Sequence, residues 1–585
     1  MGDVSSWGIR VQGHQLVKWD EWHDRGVALL QRATDRTWGL YHLAARCFKT
    51  SLRLRPRLPA AHYHLGYAIA SLRENAGDDW RWKARTSFEL ATLGQTQVAY
   101  EGLAWFHVAQ DDAHGAYVAL TRGMKALCQL DDHESPTSCA TSLEFLFRWW
   151  DALQQACVFA DWERGRRVLE AALKASFLPD QPQDIMSMSQ GMRAPISDEL
   201  RKQVASTYWK LLSRQSQFPS KVAKFSSSLL GPKRRVRVGY VSFNFSPTRN
   251  LNGVVNCFPT SADHHSHQDC FAIYGHHHKD SEEDVDRILS ETDEFIDLQR
   301  VCAIEFSNTS DYHMAIKINE HEVNMVYAAT TGGPSIDLFV TDRVATPPDL
   351  HAATLSERVL VLPGSHFINN QKDLMPQGFS SPPTRQEFSL PLSGVLLACF
   401  NAFFKITPDI LDLWLHILLS VPQSFLLFVK YQYHQAARRN ILQVVKQKNI
   451  SSARIIFMNR TASLRDHMRR TSLSDVYLDT RLYNAHTIAV DVLWSGVPIV
   501  ALPGTSLASR VTARDPHDYV DLTRAWVRAR PSAANARARE AFKNLRRDGE
   551  IFDGDRFARK LEKGFLIALD AKDAGNVGSN YLVSE

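Results

Sequence analysis

The chain has 585 residues, and its 68 basic and 63 acidic side chains give a formal net charge of only +5. A charge this small and this evenly mixed gives no reason to expect nucleic-acid binding. Eight cysteines without a CxxC pair indicate reduced core thiols in a cytoplasmic or nuclear protein. No membrane span is expected, because the most lipophilic stretch, residues 410–429, contains Asp412, His416 and Pro422.

Residues 1–140 are predicted to form tetratricopeptide-like helical repeats. Ala44 and Phe48 sit at the spacing of a repeat's second helix, and Ala84 and Phe88 repeat the pattern. Small residues let two antiparallel helices approach, while the aromatic ring fills the gap between neighbouring repeats. About two or three repeats are expected, with a non-repeating helical bundle as the alternative. Such a short solenoid offers a groove for an extended peptide, or a docking surface.

An α/β core is predicted after the helical region. Residues 141–233 continue the helical character and are expected to link the repeats to this core. The core begins with a strand at residues 235–242, and because no GxGxxG motif follows it, a dinucleotide-binding fold is disfavoured. Alternating strands and helices then predict two lobes, at residues 234–390 and 391–575. Residues 576–585 are predicted to be a tail.

The most informative segment, residues 475–510, has the pattern strand, polar turn, helix, strand. An apolar run at residues 476–478 precedes a helix that opens around His486, and another strand is predicted at residues 497–502. The helix would point unpaired N–H groups and the positive end of its dipole at the strand tips, which favours a phosphate. One turn later, Asp491 can accept a hydrogen bond from a ribose hydroxyl. The pattern is typical of a nucleotide site in a doubly wound sheet.

The string LDTRLYNAHTIAVDVLWSGVPIVALPG, at residues 478–504, closely resembles the sugar-nucleotide site of the protein O-linked N-acetylglucosamine transferases. This resemblance covers roughly residues 157–570. It implies an α/β GT-B core of two Rossmann-like lobes, preceded by the all-α tetratricopeptide-like region. It further implies an inverting transferase that moves N-acetylglucosamine from UDP-N-acetylglucosamine to Ser or Thr of intracellular proteins. Those acceptor proteins are expected to be recognised through the helical repeats.

The resemblance also implies which residues form the site. Lys405, in the string CFNAFFKI, is given the catalytic role, because an ammonium beside the departing nucleoside diphosphate stabilises its growing negative charge. His467 and Arg470 match family positions that contact nucleotide and phosphate, and the alternative for them is a solvated basic helix face. Ile488 stands where the family has a second threonine, so one phosphate donor is lost. The nucleotide sugar is thus expected to contact Lys405, His467, Arg470, His486, Thr487, Ile488 and Asp491.

The first lobe departs from the family pattern. Where the family carries HPTSH, whose leading histidine has been proposed as general base, this chain has SPTRN at residues 246–250. The hydroxyl of Ser246 cannot take up a proton near neutral pH, so base catalysis at this position is expected to be lost. The chain also passes from residues 322–325 to residues 330–337 without the strand and loops that the family has between them. Either the chain is a decayed paralogue or coding segments are missing from it.

No metal and no other cofactor is expected. The two DxD strings, at residues 284–286 and 553–555, are interpreted as a solvated helix face and a capping turn. Lys405, Arg470 and the helix opening at His486 would neutralise the diphosphate instead. Neither nucleic acid nor membrane is an expected partner. Two alternatives stay open: a protein O-fucosyltransferase that uses a guanosine diphosphate sugar, and a repeat scaffold that binds nucleotide without catalysis.

Overall fold

The chain forms two compact units, Met1–Ala156 and Cys157–Glu585. The structure is a computed structural model, and it describes residues 19–33, 37–73, 79–128, 143–177, 193–215, 238–242, 270–274, 294–297, 325–326, 338–347, 355–367, 369, 371–374, 382–431, 434–503, 513–529, 533–575 and 580–584.

In the described residues of the first unit all regular secondary structure is helical, as predicted. Each helix packs against the next along the chain. The small residues give the aromatic rings room between the helices. At Gly66, for example, an added Cβ atom would lie only 3.1 Å from the ring of Phe88. Ala44, Phe48 and Ala84 are likewise fully buried. The helices are α1 (Trp19–Gln31), α2 (Trp38–Leu54), α3 (Pro59–Leu72), α4 (Trp80–Ala91), α5 (Gln97–Ala109), α6 (Ala113–Cys128) and α7 (Leu143–Gln155).

The second unit begins with helices and then forms two parallel sheets that belong to the first lobe of the α/β core. One sheet has the order β1-β2-β3, and the other has the order β12-β6-β5-β4, in which β12 is the C-terminal strand Tyr581–Leu582. The elements are α8 (Trp162–Ser176), α9 (Asp198–Gln215), β1 (Val238–Ser242), β2 (Cys270–Tyr274), β3 (Glu294–Asp297), β4 (Met325–Val326), β5 (Leu338–Asp342), β6 (Arg358–Leu362) and α10 (Gln371–Leu374).

The second lobe is a five-stranded parallel sheet of order β11-β10-β7-β8-β9. All five residues of its central strand, β7, are buried, as expected for a sheet covered by helices on both faces. Its elements are β7 (Val395–Cys399), α11 (Pro408–Ser420), β8 (Ser424–Val429), α12 (His434–Gln447), β9 (Ile455–Met458), α13 (Leu464–Thr471), β10 (Val476–Leu478), α14 (Thr487–Trp494), β11 (Ile499–Val500) and α15 (Pro516–Arg528).

The strand order of this sheet reverses direction between β7 and β10. From β7 the chain proceeds to β8 and β9 on one side, and then crosses to β10 on the other side of β7. In open parallel sheets, the loops at the carboxyl ends of the two strands that flank such a switch point separate and form a ligand crevice. The loop after β7 carries Lys405, and the loop after β10 carries His486.

The C-terminal part of the chain returns to the first lobe. Helices α16 (Ala533–Asp548) and α17 (Gly554–Asp573) precede β12 (Tyr581–Leu582), which pairs in parallel with β6. Tyr581 is buried, and its hydroxyl accepts a hydrogen bond of 2.9 Å from Arg358. Part of the predicted tail is therefore a strand of the first-lobe sheet. Within the described ranges, no helix is both long enough and apolar enough to cross a bilayer.

Replacing Phe88 with Ala tests the packing of the first unit. The ring is fully buried, whereas Trp82 on the same helix is 67% exposed. We expect Phe88→Ala to lower the free energy of unfolding of this unit by about 3–5 kcal/mol, because the surrounding helices cannot collapse into the space left by the ring. Trp82→Ala is the matched control and should change it by less than about 0.5 kcal/mol. Hydrogen exchange of the α3 and α5 amides in the full chain measures both; equal loss of protection in the two variants would contradict the packing described here.

Candidate active site

The loop that follows β10 is held by the carboxylate of Asp479. This side chain is buried and accepts hydrogen bonds from the backbone N–H groups of Thr480 and Ala485 and from the side-chain amide of Asn401, each at 2.8 Å. Burial raises the pKa of Asp479 to about 6, and these hydrogen bonds together with the nearby ammonium of Lys405 oppose the rise. Because Asn401 lies in the loop after β7, the carboxylate joins the two loops that flank the switch point.

Lys405 lies in a 3₁₀ turn of the loop after β7. Its Nζ atom donates a hydrogen bond of 3.0 Å to the carbonyl oxygen of Asn484 and lies 4.1 Å from the centroid of the Tyr483 ring. Burial lowers the pKa of Lys405 to about 8, and the charge of Asp479 partly offsets this effect. A cation thus lies against the turn that leads into α14.

His486 is the residue immediately before α14, which begins at Thr487. The imidazole ring lies with its centroid 5.1 Å from that of Tyr483 and 6.0 Å from that of Phe367. The first turn of a helix presents N–H groups without intrahelical partners, and these favour an anion. Ile488 packs its side chain against the sheet, so the side chain at this position faces the core.

Asp491 lies one turn into α14 and is buried. Its Oδ1 atom accepts a hydrogen bond of 2.9 Å from the side-chain amide of Gln371, which belongs to the first lobe. Burial raises the pKa of Asp491 to about 7, and this hydrogen bond opposes the rise. A carboxylate with a strongly shifted pKa that lies at a strand-end crevice is typical of a binding or catalytic position.

His467 and Arg470 lie on α13 and are not a solvated basic face, because Arg470 is only 4% exposed. The Arg470 guanidinium donates a 2.6 Å hydrogen bond to the Asn459 carbonyl oxygen and lies 5.8 Å from the Phe400 ring centroid. The His467 ring makes an edge contact with the same Phe400 ring. Burial lowers the pKa of His467 to about 4, so the imidazole is neutral near pH 7.

The first lobe contributes residues 365–367, 369 and 371–374 to this region. Phe367 packs against the cluster of Met468, Val490 and Trp494 in the second lobe. The side-chain amide of Asn369 donates a hydrogen bond to the carbonyl oxygen of Ile551.

Two residues of the site were not singled out from the sequence. Asp479 and Asn401 each follow closely on a buried parallel strand, and a polar residue at that point is a signal that could have identified them. Asp553 has the predicted capping role, because its Oδ1 atom accepts a hydrogen bond of 2.9 Å from the Arg556 N–H group. Ser246, like residues 284–286 and 330–337, lies outside the described residues.

Residues 377–518 match the family model described as Glycosyl transferase family 41. The predicted resemblance to the O-linked N-acetylglucosamine transferases is confirmed by this match together with the relatives described next.

Named relatives agree with this family. Over 308 residues, the chain is 31% identical to the "Probable UDP-N-acetylglucosamine--peptide N-acetylglucosaminyltransferase SEC" of Arabidopsis thaliana, covering 48% of this chain and 30% of that protein. Over 223 residues, it is 30% identical to the UDP-N-acetylglucosamine--peptide N-acetylglucosaminyltransferase of Caenorhabditis elegans, covering 35% of this chain and 19% of the relative. The chain thus matches less than a third of the length of either relative.

The fold also has a solved counterpart. A mutant of the Thermobaculum terrenum O-GlcNAc transferase superposes with a TM-score of 0.58 at 16% identity, and the match covers 97% of this chain and 100% of that one. At this identity the likeness bears on the fold alone. The predicted fold class, a GT-B core of two lobes preceded by an all-α region, is confirmed.

The shifted pKa of Asp491 predicts how stability depends on pH. Folding raises this pKa from an ordinary 3.8 to about 7, so the folded state binds more protons than the unfolded state between these values. The free energy of unfolding therefore falls as the pH rises from about 4 to about 7. In Asp491→Asn this pH-dependent loss is absent. The free energy of unfolding of the variant minus that of the wild type should therefore rise by on the order of 2–4 kcal/mol between pH 4 and pH 8.

Urea unfolding at a series of pH values, monitored by hydrogen exchange of the α14 amides, measures this difference. Asp412→Asn is the matched control, because the Asp412 side chain is 57% exposed. A stability difference between Asp491→Asn and the wild type that does not change with pH would contradict the proposed burial of this charge.

Proposed function

We propose that this protein is an inverting O-glycosyltransferase that transfers N-acetylglucosamine from UDP-N-acetylglucosamine to Ser or Thr hydroxyls of other proteins. The observation that carries this proposal is the arrangement of Lys405, the first turn of α14 and Asp491 around one switch point of a parallel sheet. The cation and the helix N-terminus suit the diphosphate of a nucleoside diphosphate, and the carboxylate suits its ribose hydroxyls.

The diphosphate would bind between the loops after β7 and β10. The Lys405 ammonium contacts the turn that leads into α14, so this cation and the N–H groups of the first turn of α14, with Thr487 at its start, would both serve as donors to the diphosphate. When the bond between the sugar and the phosphate breaks, negative charge grows on the departing diphosphate. Fixed donors that already point at this charge stabilise the transition state more than the ground state.

The nucleoside would bind deeper along α14 and α13. The carboxylate of Asp491 has one hydrogen-bond donor from Gln371 and can accept ribose hydroxyls with its remaining lone pairs. His467 is neutral near pH 7, so its ring can stack against or hydrogen-bond a base without adding charge. Arg470 supplies a second positive charge beside it.

The choice of sugar and acceptor rests on the relatives. The Arabidopsis and Caenorhabditis proteins are named as enzymes that use UDP-N-acetylglucosamine and act on peptides, and they are about 30% identical to this chain. The free cysteines Cys47, Cys157 and Cys399 are buried, which fits the expected cytoplasmic or nuclear location. Loss of the family histidine at Ser246 favours the alternative of a scaffold that binds nucleotide without transfer.

Lys405→Ala tests the nucleotide site. We expect the variant to bind UDP about 10- to 100-fold more weakly than the wild type, because a charge-assisted hydrogen bond to the diphosphate is lost. Calorimetry with UDP and with GDP measures this effect in the full chain. Lys448→Ala is the matched control, since this lysine forms a surface ion pair with Asp412.

The same titrations separate the alternatives. Binding of UDP followed by transfer from labelled UDP-N-acetylglucosamine supports the proposal, whereas preferential binding of GDP with fucosyl transfer supports the alternative enzyme. Binding of UDP without turnover indicates the scaffold. Absence of binding for both nucleotides would refute a sugar-nucleotide site altogether.

Removal of divalent cations tests how the diphosphate is neutralised. We expect the affinity for UDP to change less than about twofold in the presence of EDTA, because Lys405, Arg470 and the α14 N-terminus supply the positive charge. Calorimetry with and without added Mg²⁺ or Mn²⁺ makes the comparison. A tenfold loss of affinity in EDTA that Mn²⁺ restores would show that a metal ion takes part.

A further inference from the structure

Asp342 and His366 form a hydrogen-bonded pair at the carboxyl edge of the first-lobe sheet that contains β5 and β6. Asp342 is the last residue of β5, and His366 follows the end of β6 by four residues. The imidazole Nδ1 atom lies 2.6 Å from the Asp342 Oδ2 atom, which also accepts a hydrogen bond of 2.9 Å from the backbone N–H group of His366. The pair therefore fixes both the backbone and the ring of this histidine.

The carboxylate of Asp342 is itself held rigidly. Its Oδ1 atom accepts hydrogen bonds of 2.8 Å from the backbone N–H groups of Val344 and Ala345. Although burial opposes the ionised form, the hydrogen bonds from His366 and from these N–H groups lower the pKa of Asp342 to about 2. An ionised carboxylate at this distance keeps the proton of a neutral imidazole on Nδ1, so the lone pair is on Nε2.

The imidazole ring of His366 is partly exposed. The His366 side chain is 23% exposed, whereas that of Asp342 is 7% exposed. Among the residues that the structure describes, none forms a hydrogen bond with Nε2. An imidazole that is oriented on one side by a buried carboxylate and open on the other has the arrangement of a general base.

The pair also lies beside the proposed donor site. The residue after His366 is Phe367, whose ring centroid is 6.0 Å from that of His486, and Gln371 of the same segment reaches Asp491. His486 and Asp491 are at the carboxyl edge of the second-lobe sheet, while Asp342 and His366 are at the carboxyl edge of the first-lobe sheet. Ligands of parallel sheets bind at this edge.

We propose that His366 is the general base that activates the acceptor hydroxyl, and that Asp342 is the residue that positions it. This inference rests on the glycosyl transfer proposed above and supplies the imidazole that is absent at Ser246. The Nε2 atom takes the hydroxyl proton while the hydroxyl oxygen forms a bond to the anomeric carbon of the sugar. The bond from that carbon to the phosphate oxygen breaks, UDP leaves with the electron pair, and the imidazolium later releases its proton to water.

Three variants of the full chain separate this role from a structural one. His366→Gln retains an amide donor for Asp342 but cannot take up a proton, and His366→Ala leaves space for free imidazole. Asp342→Asn removes the charge that orients the ring. His416→Ala is the control, because His416 is an exposed histidine on α11, away from both carboxyl edges.

Two measurements are made on each variant: the affinity for UDP, by calorimetry, and the rate of UDP release from UDP-N-acetylglucosamine, with water or a pool of Ser/Thr peptides as acceptor. We expect His366→Gln and His366→Ala to bind UDP within about twofold of the wild type but to turn over about 10²- to 10⁴-fold more slowly. Free imidazole should restore part of the rate to His366→Ala and none to His366→Gln. Asp342→Asn should turn over about 10-fold or more slowly, with unchanged affinity.

The outcomes distinguish this inference from the proposed function. Wild-type turnover in His366→Gln would overturn the role of His366 while leaving the transferase proposal intact. So would a slow His366→Ala variant that imidazole does not rescue. A wild-type protein that binds UDP and transfers nothing would overturn the base and the transfer but retain the nucleotide site. A wild-type protein that binds no nucleotide would overturn the donor site on which both depend.

Discussion

The buried carboxylate of Asp479 is the constraint on which the carboxyl edge of the second-lobe sheet depends. A charge in this environment costs several kcal/mol unless hydrogen-bond donors surround it. Here the donors come from its own loop, at Thr480 and Ala485, and from Asn401 in the loop after the central strand. These hydrogen bonds tie the two loops to each other in the position that the structure shows. That position in turn places the ammonium of Lys405 against the carbonyl group at the entrance to α14.

The fold of the second lobe could be predicted from the sequence because its strands are short apolar runs separated by helices with regular apolar periodicity. The burial of all three residues in Val476–Leu478 and the start of α14 beside His486 follow directly from such local signals. The contacts of Gln371 with Asp491 and of Phe367 with His486 could not be predicted, because no periodicity relates segments about 120 residues apart. The strand Tyr581–Leu582 was missed for a different reason, since two residues are too few to show an alternating pattern.

The ionisable groups around the switch point lie in environments that disfavour their charged forms. Burial shifts Asp479 and Asp491 toward the protonated form and Lys405 and His467 toward the neutral form. A protein selected for stability alone would rarely keep four such groups together, because the shifts of Asp479, Asp491 and Lys405 weaken the folded state near neutral pH, and the shift of His467 weakens it at lower pH. The first lobe differs, since the hydrogen bonds of Asp342 keep its carboxylate fully charged. The carboxyl edges of the two lobes therefore differ. In the second lobe, burial disfavours the charged forms of the ionisable groups, whereas in the first lobe hydrogen bonds favour the charged form of Asp342.

The pairing of β12 with β6 has a consequence for biosynthesis. The hydroxyl of Tyr581 meets Arg358 across 223 positions of the sequence, and the entire second lobe lies between these two residues. While the ribosome makes the chain, the first-lobe sheet therefore lacks its edge strand until after the second lobe has emerged. Contacts this distant in sequence form slowly, and an unpaired sheet edge is exposed to wrong partners in the meantime. The lobe that is synthesised first is thus the one whose sheet is completed last.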